Sequence, residues 1–176
     1  MKKFLLVFAA LFATSAFAGE FASIEVTPVK ANGVRGVDTS AVFGTQFGAW
    51  TVDVKGDVAR ESNTHAYSDS LQARGAYNFG LFYVRGGLGK QFVNAGNDYN
   101  FYTFAAGTKL AVVKDWSAVA SAERQNAMSA GKPSFNTYKV GAAYDFNKNN
   151  AVEAFWQVTS RDVVSHGVGF GYNHGF

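Results

Sequence analysis

Apolar and polar residues alternate along most of the chain after its first 20 positions. The pattern is clearest in the last segment, Ser165 to Phe176, where large side chains occupy every second position and mostly small ones lie between them. The large side chains are those of Val168, Phe170, Tyr172, His174 and Phe176. A period of two predicts β-strands that place most of their bulk on one face. Because no segment has a clear helical period, the sequence predicts an all-β protein.

Turn signals divide the chain into hairpins of similar length. The last large apolar residues before successive turns lie 30 to 34 positions apart; they are Phe47, Phe79, Val112, Phe146 and Phe176. Five hairpins predict ten strands. Eight strands are the alternative, if the region from Pro28 to Asp38 is irregular. Pro28 itself is expected to end a ladder or mark a bulge, because proline cannot donate a backbone hydrogen bond.

The predicted strands place apolar residues on one face and polar or small residues on the other, and short segments join them. They are Phe21 to Thr27, Asp38 to Phe47, Trp50 to Asp57, Ser70 to Phe79, Leu81 to Phe92, Tyr99 to Val112, Trp116 to Gln125, Phe135 to Phe146, Ala151 to Thr159 and the segment ending at Phe176. Most are close to the roughly 9 to 11 residues that cross a bilayer at a tilt.

Met1 to Ala18 has the form of a secretory signal peptide. Two lysines precede the apolar run Phe4 to Ala13, and Ala16-Phe17-Ala18 matches an A-x-A cleavage site. Cleavage would leave one domain, residues 19–176, with a net charge close to neutral, which gives no argument for nucleic-acid binding. The chain has no cysteine, so disulfides and thiolate metal sites are excluded.

The segment that closes on Phe176 resembles the last strand of bacterial outer-membrane β-barrels, which characteristically ends on an aromatic residue that the assembly machinery reads. Nearly all of the mature chain is similar in pattern to small outer-membrane barrels of the OmpA/OmpX-like and small-porin type. The resemblance implies a closed antiparallel up-and-down transmembrane β-barrel in the bacterial outer membrane, with apolar residues toward lipid and polar ones in the lumen. Outer-membrane lipid, lipopolysaccharide and the assembly machinery are the implied partners. The predicted ten strands and short outer loops depart from that type.

Charged residues on the predicted inner face are the main functional candidates. The acidic ones are Glu25, Asp53, Asp57, Glu123, Asp145 and Glu153, and the basic ones are Lys55, Arg74, Arg85, Lys109 and Lys139. Mixed signs predict salt bridges or enclosed water, because isolated charges in a narrow lumen are costly to desolvate. Two interpretations stay open: a polar plug, or a narrow pore whose constriction is lined by Arg74, Arg85, Lys109 and facing carboxylates.

Inward glycines are expected to leave room for such a pore. They are Gly87, Gly89, Gly107, Gly141, Gly167, Gly169, Gly171 and Gly175.

On the outer face, Trp50, Phe82, Trp116 and Phe176 are predicted to anchor the membrane interface. Lys90 and Arg124 fall near the outer rim, where they either contact lipopolysaccharide phosphates or are simply solvated; Arg60, Lys132 and Arg161 are nearby in the pattern.

No metal-ligand, phosphate-loop or nucleotide-binding pattern is present, so the sequence predicts neither a cofactor nor an enzyme. Several Asp and His residues fall on the predicted outer side, but the chain lacks the long strands and paired motifs of ten-stranded outer-membrane proteases. They are His65, Asp69, Asp98, Asp162 and His166. The predicted function is a passive porin-like channel or a structural envelope barrel. A surface-binding module for a host, phage or lipopolysaccharide is the alternative, and a soluble ligand-carrying barrel would need the opposite polarity.

Overall fold

A computed structural model describes residues 19–62, 67–94, 97–160 and 164–176, so the predicted signal peptide lies outside the described residues. The described chain folds into ten strands. They are β1 (Glu20–Ala31), β2 (Val34–Phe47), β3 (Trp50–Glu61), β4 (Tyr67–Asn78), β5 (Phe82–Val93), β6 (Tyr99–Val113), β7 (Trp116–Ala127), β8 (Phe135–Asn147), β9 (Asn150–Ser160) and β10 (Val164–Gly175). No helix in these residues is long and apolar enough to span a membrane.

The strands form a single closed barrel. Each strand pairs antiparallel with its neighbours in sequence, and β1 pairs with β10 to complete the circle. The predicted ten-stranded up-and-down barrel is confirmed, and the eight-stranded alternative is wrong. The start of β1 and the end of β10 lie at the same end of the barrel, beside the short connections at residues 48–49, 79–81, 114–115 and 148–149. The connections at the other end are also short.

The prediction that Pro28 ends a ladder or marks a bulge is wrong. Pro28 lies opposite Val37 in an unbroken register with β2, and the register with β10 is the same on both sides of the proline. The chain then turns at Asn32 and Gly33, whose φ angles of 46° and 80° are the positive values that a tight type I′ hairpin needs. The second strand therefore begins at Val34 instead of Asp38, and the region from residue 28 to 38 is regular.

Large apolar side chains cover the outside of the barrel. Phe104, Phe170 and Leu88 are 64%, 63% and 62% exposed, whereas the inward Asp53 and Gln72 are 3% and 2% exposed. This polarity is the reverse of that in a soluble barrel, where the apolar face packs inside, and it matches the lipid-facing and lumen-facing alternation of transmembrane barrels. The soluble ligand-carrying alternative is therefore wrong.

Aromatic rings surround the end of the barrel that carries both termini. Trp50, Tyr77 and Phe79 pack edge to face with centroid distances of 4.8 and 4.7 Å. Trp116, Tyr144 and Phe146 form a similar cluster two hairpins later, with Trp116 tilted against Tyr144 at 5.0 Å and Tyr144 edge to face with Phe146 at 5.2 Å. Phe176 packs on His174 at 4.6 Å. Such rings suit a membrane interface, because one edge can meet water while the face contacts hydrocarbon.

Candidate functional site in the barrel lumen

A cavity of about 990 Å³ lies inside the barrel. Its lining includes Asn32 and Glu61 near the turns at one end and Asn78 and Ala151 near the turns at the other. Ten of the eleven charged residues that the sequence placed on the inner face line this cavity, and Asp145 does not. The ten are Glu25, Asp53, Lys55, Asp57, Arg74, Arg85, Lys109, Glu123, Lys139 and Glu153. The cavity thus extends between both sets of turns and carries charge along its wall.

The most buried charges in the lumen belong to Arg74 and Asp53. These residues face each other directly on β4 and β3, which places their side chains on the same side of the sheet. Arg74 Nε donates to Asp53 Oδ1 at 2.5 Å, and the two side chains are 4% and 2% exposed. A pair this deeply buried depends on mutual compensation, because either charge alone would lack the solvation that water gives it.

Glu25 and Lys139 form an ion pair across two intervening strands. Glu25 is on β1 and Lys139 on β8, with β9 and β10 between them. The side chains of Glu25 and Glu153 approach Gly171 on β10, where an added Cβ would lie 3.3 and 3.7 Å from them. Gly171 has no side chain to separate the residues on either side of it, so Glu25 and its neighbours can approach one another. Lys139 Nζ also lies 4.5 Å from the centre of the Phe155 ring, a cation–π contact.

Two further ion pairs line the lumen and its mouth. Lys55 Nζ lies 2.7 Å from Asp57 Oδ1. Lys109 Nζ donates to Asp145 at 2.9 Å near the end that carries the termini, where both side chains are substantially exposed. The predicted salt-bridge network is thus present, as separate pairs distributed along the wall.

Arg85 differs from the other basic residues of the lumen. Within the described residues it makes no ion pair, its Nε is buried without a hydrogen-bond partner, and its guanidinium lies 5.0 Å from the Tyr83 ring. Glu123 and Glu153 likewise line the cavity with no ion pair within 4.0 Å in the described part of the chain. Arg85, Glu123 and Glu153 therefore line the lumen without a charged partner within 4.0 Å in the described part of the chain.

Most inward glycines do not leave open room, contrary to the sequence prediction. A Cβ at Gly89 would overlap the Phe101 ring, and one at Gly107 would overlap Tyr83. A Cβ at Gly169 would overlap the ring of Phe155, which is 2% exposed, and one at Gly141 would overlap the Ala154 carbonyl oxygen and the Cα and Cβ of Phe155. Gly89, Gly107 and Gly169 therefore make room for inward aromatic rings, and these rings take up space inside the barrel. Strand alternation determines that these rings point inward, but only the cross-strand register reveals which glycine each ring covers.

The two basic residues predicted at the outer rim already contact protein groups. Lys90 Nζ lies 3.9 Å from Asp98 Oδ2 and 5.4 Å from the centre of the Phe92 ring. Arg124 donates to the side-chain oxygens of Asn126 and Asn136 at 2.9 and 3.1 Å. Their predicted contact with lipopolysaccharide remains a prediction.

The Asp and His residues of the outer side do not gather into a catalytic group in the described residues. Asp69 is held by Arg60, Asp98 lies near Lys90, and His166 points outward. Lys132 donates to the Asn97 carbonyl at 2.9 Å. His65, Arg161 and Asp162 lie outside the described residues. Across the described ranges, no group of three or more His, Asp or Glu side chains is placed to hold a metal ion.

The closed strand ring, the outward apolar band and the charged lumen together define a transmembrane β-barrel with the architecture of small bacterial outer-membrane barrels. The resemblance inferred from the sequence is confirmed at the level of the fold.

Several solved membrane barrels are similar to this chain. The translocator domain of the autotransporter NalP from Neisseria meningitidis is 11% identical, with 99% of this chain and 94% of that chain covered and a TM-score of 0.49. The KdgM porin is 16% identical, with coverage of 88% and 99% and a TM-score of 0.47. An anion-selective porin from Comamonas acidovorans is 15% identical, with coverage of 93% and 57% and a TM-score of 0.45. No family model and no curated protein matches the chain. Such distant likenesses carry no functional argument, so function is inferred from the lumen.

Proposed function

We propose that this protein is a passive, porin-like barrel of the bacterial outer membrane whose narrow lumen conducts water and small hydrophilic solutes. The observation that carries this proposal is the cavity of about 990 Å³, with charged side chains on its wall and lining residues near both sets of turns. Ten strands lie closer to the filled eight-stranded barrels than to the open sixteen-stranded porins, so the conducting path would be narrow.

The distribution of charge supports weak selectivity. Each of the four ion pairs compensates one cation with one anion, which leaves Arg85 and the carboxylates of Glu123 and Glu153 to act on a passing ion. Their opposite signs would attract cations and anions to different parts of the wall. Arg85 is the group that would offset the two carboxylates, so its charge is expected to set the balance of selectivity.

Replacing Arg85 with serine is expected to shift the channel toward cations. An exposed unit charge changes the energy of an ion 4 Å away by about 1 kcal/mol in water, which corresponds to a change of about fivefold in the permeability ratio at most. The measurement is the reversal potential of single channels in planar bilayers under a salt gradient. Lys148→Ser, at an exposed turn, removes the same charge outside the lumen and is the matched control.

The same recordings test whether the barrel conducts at all. Discrete conductance steps from the unmodified protein, with a selectivity that changes in Arg85→Ser and not in Lys148→Ser, are the expected result. Electrical silence at high protein load would reject the pore, provided that heat-modifiable mobility on a gel shows the barrel to be folded. A barrel that is folded but silent would instead have a structural role in the envelope.

A further inference from the structure

Three outward basic side chains lie in one row at the end of the barrel opposite the termini. Lys30 on β1 is directly opposite Arg35 on β2 and directly opposite His166 on β10. All three residues are exposed, and in the described part of the chain none of their side chains makes an ion pair or hydrogen bond. Side chains of like charge placed directly opposite each other in a sheet destabilise it, so this row favours an anion from outside the chain.

An apolar row lies directly below the basic row, toward the middle of the membrane. Pro28 and Val37 face each other across β1 and β2, and Val168 faces Trp156 across β10 and β9. Val37, Trp156 and Val168 are 40%, 50% and 55% exposed. The two rows together line a groove of about 530 Å³ on the outside of the barrel.

We propose that this groove binds one molecule of a phosphorylated lipid of the outer leaflet, lipopolysaccharide, with its phosphates on Lys30 and Arg35 and an acyl chain along Val37, Pro28 and Trp156. Arginine and lysine bind phosphate through strong charge-assisted hydrogen bonds, and the apolar row continues from them in the direction that an acyl chain takes. The site requires the barrel to lie in the outer membrane, as proposed above, with the short turns beside the termini on the periplasmic side, but it does not require the lumen to conduct.

Charge complementarity also distinguishes this groove from the opposite wall. There, Lys90 has Asp98 nearby and Arg124 is hydrogen-bonded to Asn126 and Asn136. Lys30 and Arg35 have no such partners among the described residues and lie next to each other on paired strands. The groove, rather than the Lys90 and Arg124 region, is therefore the surface best suited to a phosphate-bearing lipid.

The test is a titration of the refolded, full barrel in detergent with purified lipopolysaccharide, followed by calorimetry. The double variant Lys30→Gln/Arg35→Gln is expected to bind about tenfold more weakly or worse, because it loses both charged phosphate contacts. Lys90→Gln/Arg124→Gln makes the same change in charge on the opposite wall and is expected to bind as the unmodified protein does. Chemically dephosphorylated lipopolysaccharide is expected to bind the unmodified barrel as weakly as the intact lipid binds the first variant.

An equal loss of affinity in both double variants would overturn the proposal, because it would mean that net charge alone attracts the lipid. Unchanged affinity in Lys30→Gln/Arg35→Gln would overturn it as well. Both variants change exposed side chains only, so heat-modifiable mobility is expected to show folded barrels in each case. Because binding is measured without any conductance, a barrel that binds lipopolysaccharide but is silent in bilayers would reject the pore and keep this site.

Discussion

Arg74→Met is expected to lower the free energy of unfolding of the barrel by about 3–5 kcal/mol, because it leaves the Asp53 carboxylate buried without its partner. The Asp53 side chain is 2% exposed and receives the Arg74 Nε hydrogen bond at 2.5 Å. Because so little of either side chain is exposed, water in the lumen would reach the Asp53 carboxylate poorly after the substitution. The measurement is the urea dependence of folding into lipid vesicles, followed by tryptophan fluorescence.

Two controls separate the loss of compensation from the loss of a side chain. Asp53→Asn/Arg74→Met removes both charges and is expected to recover most of the loss, since replacing both members of a buried ion pair is often close to neutral. Lys109→Met breaks a pair whose side chains are 50% and 38% exposed, and a loss of about 1 kcal/mol or less is expected there. Equal losses for Arg74→Met and Lys109→Met would contradict the assignment of Arg74 and Asp53 as the buried pair.

Phe155→Ala is expected to lower the free energy of unfolding by about 3–5 kcal/mol and to widen the lumen. Phe155 is 2% exposed, and its ring occupies the space that Gly169 leaves free on β10, while Gly141 on β8 lies against the Cα and Cβ of Phe155. Its removal would open a gap beside Lys139, whose ammonium lies over the ring. Single-channel conductance is therefore expected to rise while stability against urea falls.

The matched control is Phe170→Ala, which removes the same ring from the outer face. Phe170 is 63% exposed on the outside of the barrel, where lipid can fill the space that its ring leaves. A smaller loss of stability and an unchanged conductance are expected. If Phe155→Ala left both stability and conductance at the values of the unmodified protein, the inward packing of this ring would be wrong.

The sequence was sufficient to predict the polarity of the barrel and its strand number. In β8, for example, Tyr138 and Val140 alternate with Lys139, and this alternation alone places them on opposite faces. The similar spacing of Phe47, Phe79, Val112, Phe146 and Phe176 indicated five hairpins. Both features depend on local geometry, because side chains alternate in any strand and each hairpin pairs neighbours in sequence.

The contacts inside the lumen could not be predicted in the same way. Glu25 and Lys139 are 114 positions apart in the chain, and they meet only because barrel closure brings β1 against β10. The socket of Phe155 likewise depends on the register of three strands, which fixes that Gly141 and Gly169 lie beside it. Sequence patterns give the face of a residue, but its partner depends on the shear and closure of the whole barrel.

Pro28 shows how closure overrides a local rule. Proline weakens one ladder position, but β1 is held by β2 on one side and β10 on the other, so the pairs at Val26 and Val29 maintain the register past it. The turn at Asn32 and Gly33, directly after β1, could also be predicted from the sequence, because an Asn-Gly dipeptide is the strongest short signal for a two-residue hairpin. This turn signal predicts a first strand that continues through Pro28 to Ala31.

The central claim is that apolar side chains face lipid and charged side chains face an aqueous lumen. Spin labels placed one at a time on cysteines at positions 137–145 of β8, in barrels reconstituted into vesicles, test it most directly, and the absence of native cysteine makes each label unique. The expected result is high accessibility to oxygen dissolved in the lipid at Tyr138, Val140 and Tyr144, and higher accessibility to a water-soluble nickel chelate at Lys139 and Asp145. The reverse pattern, with positions 138, 140 and 144 in contact with water and position 139 in contact with lipid, would contradict the account.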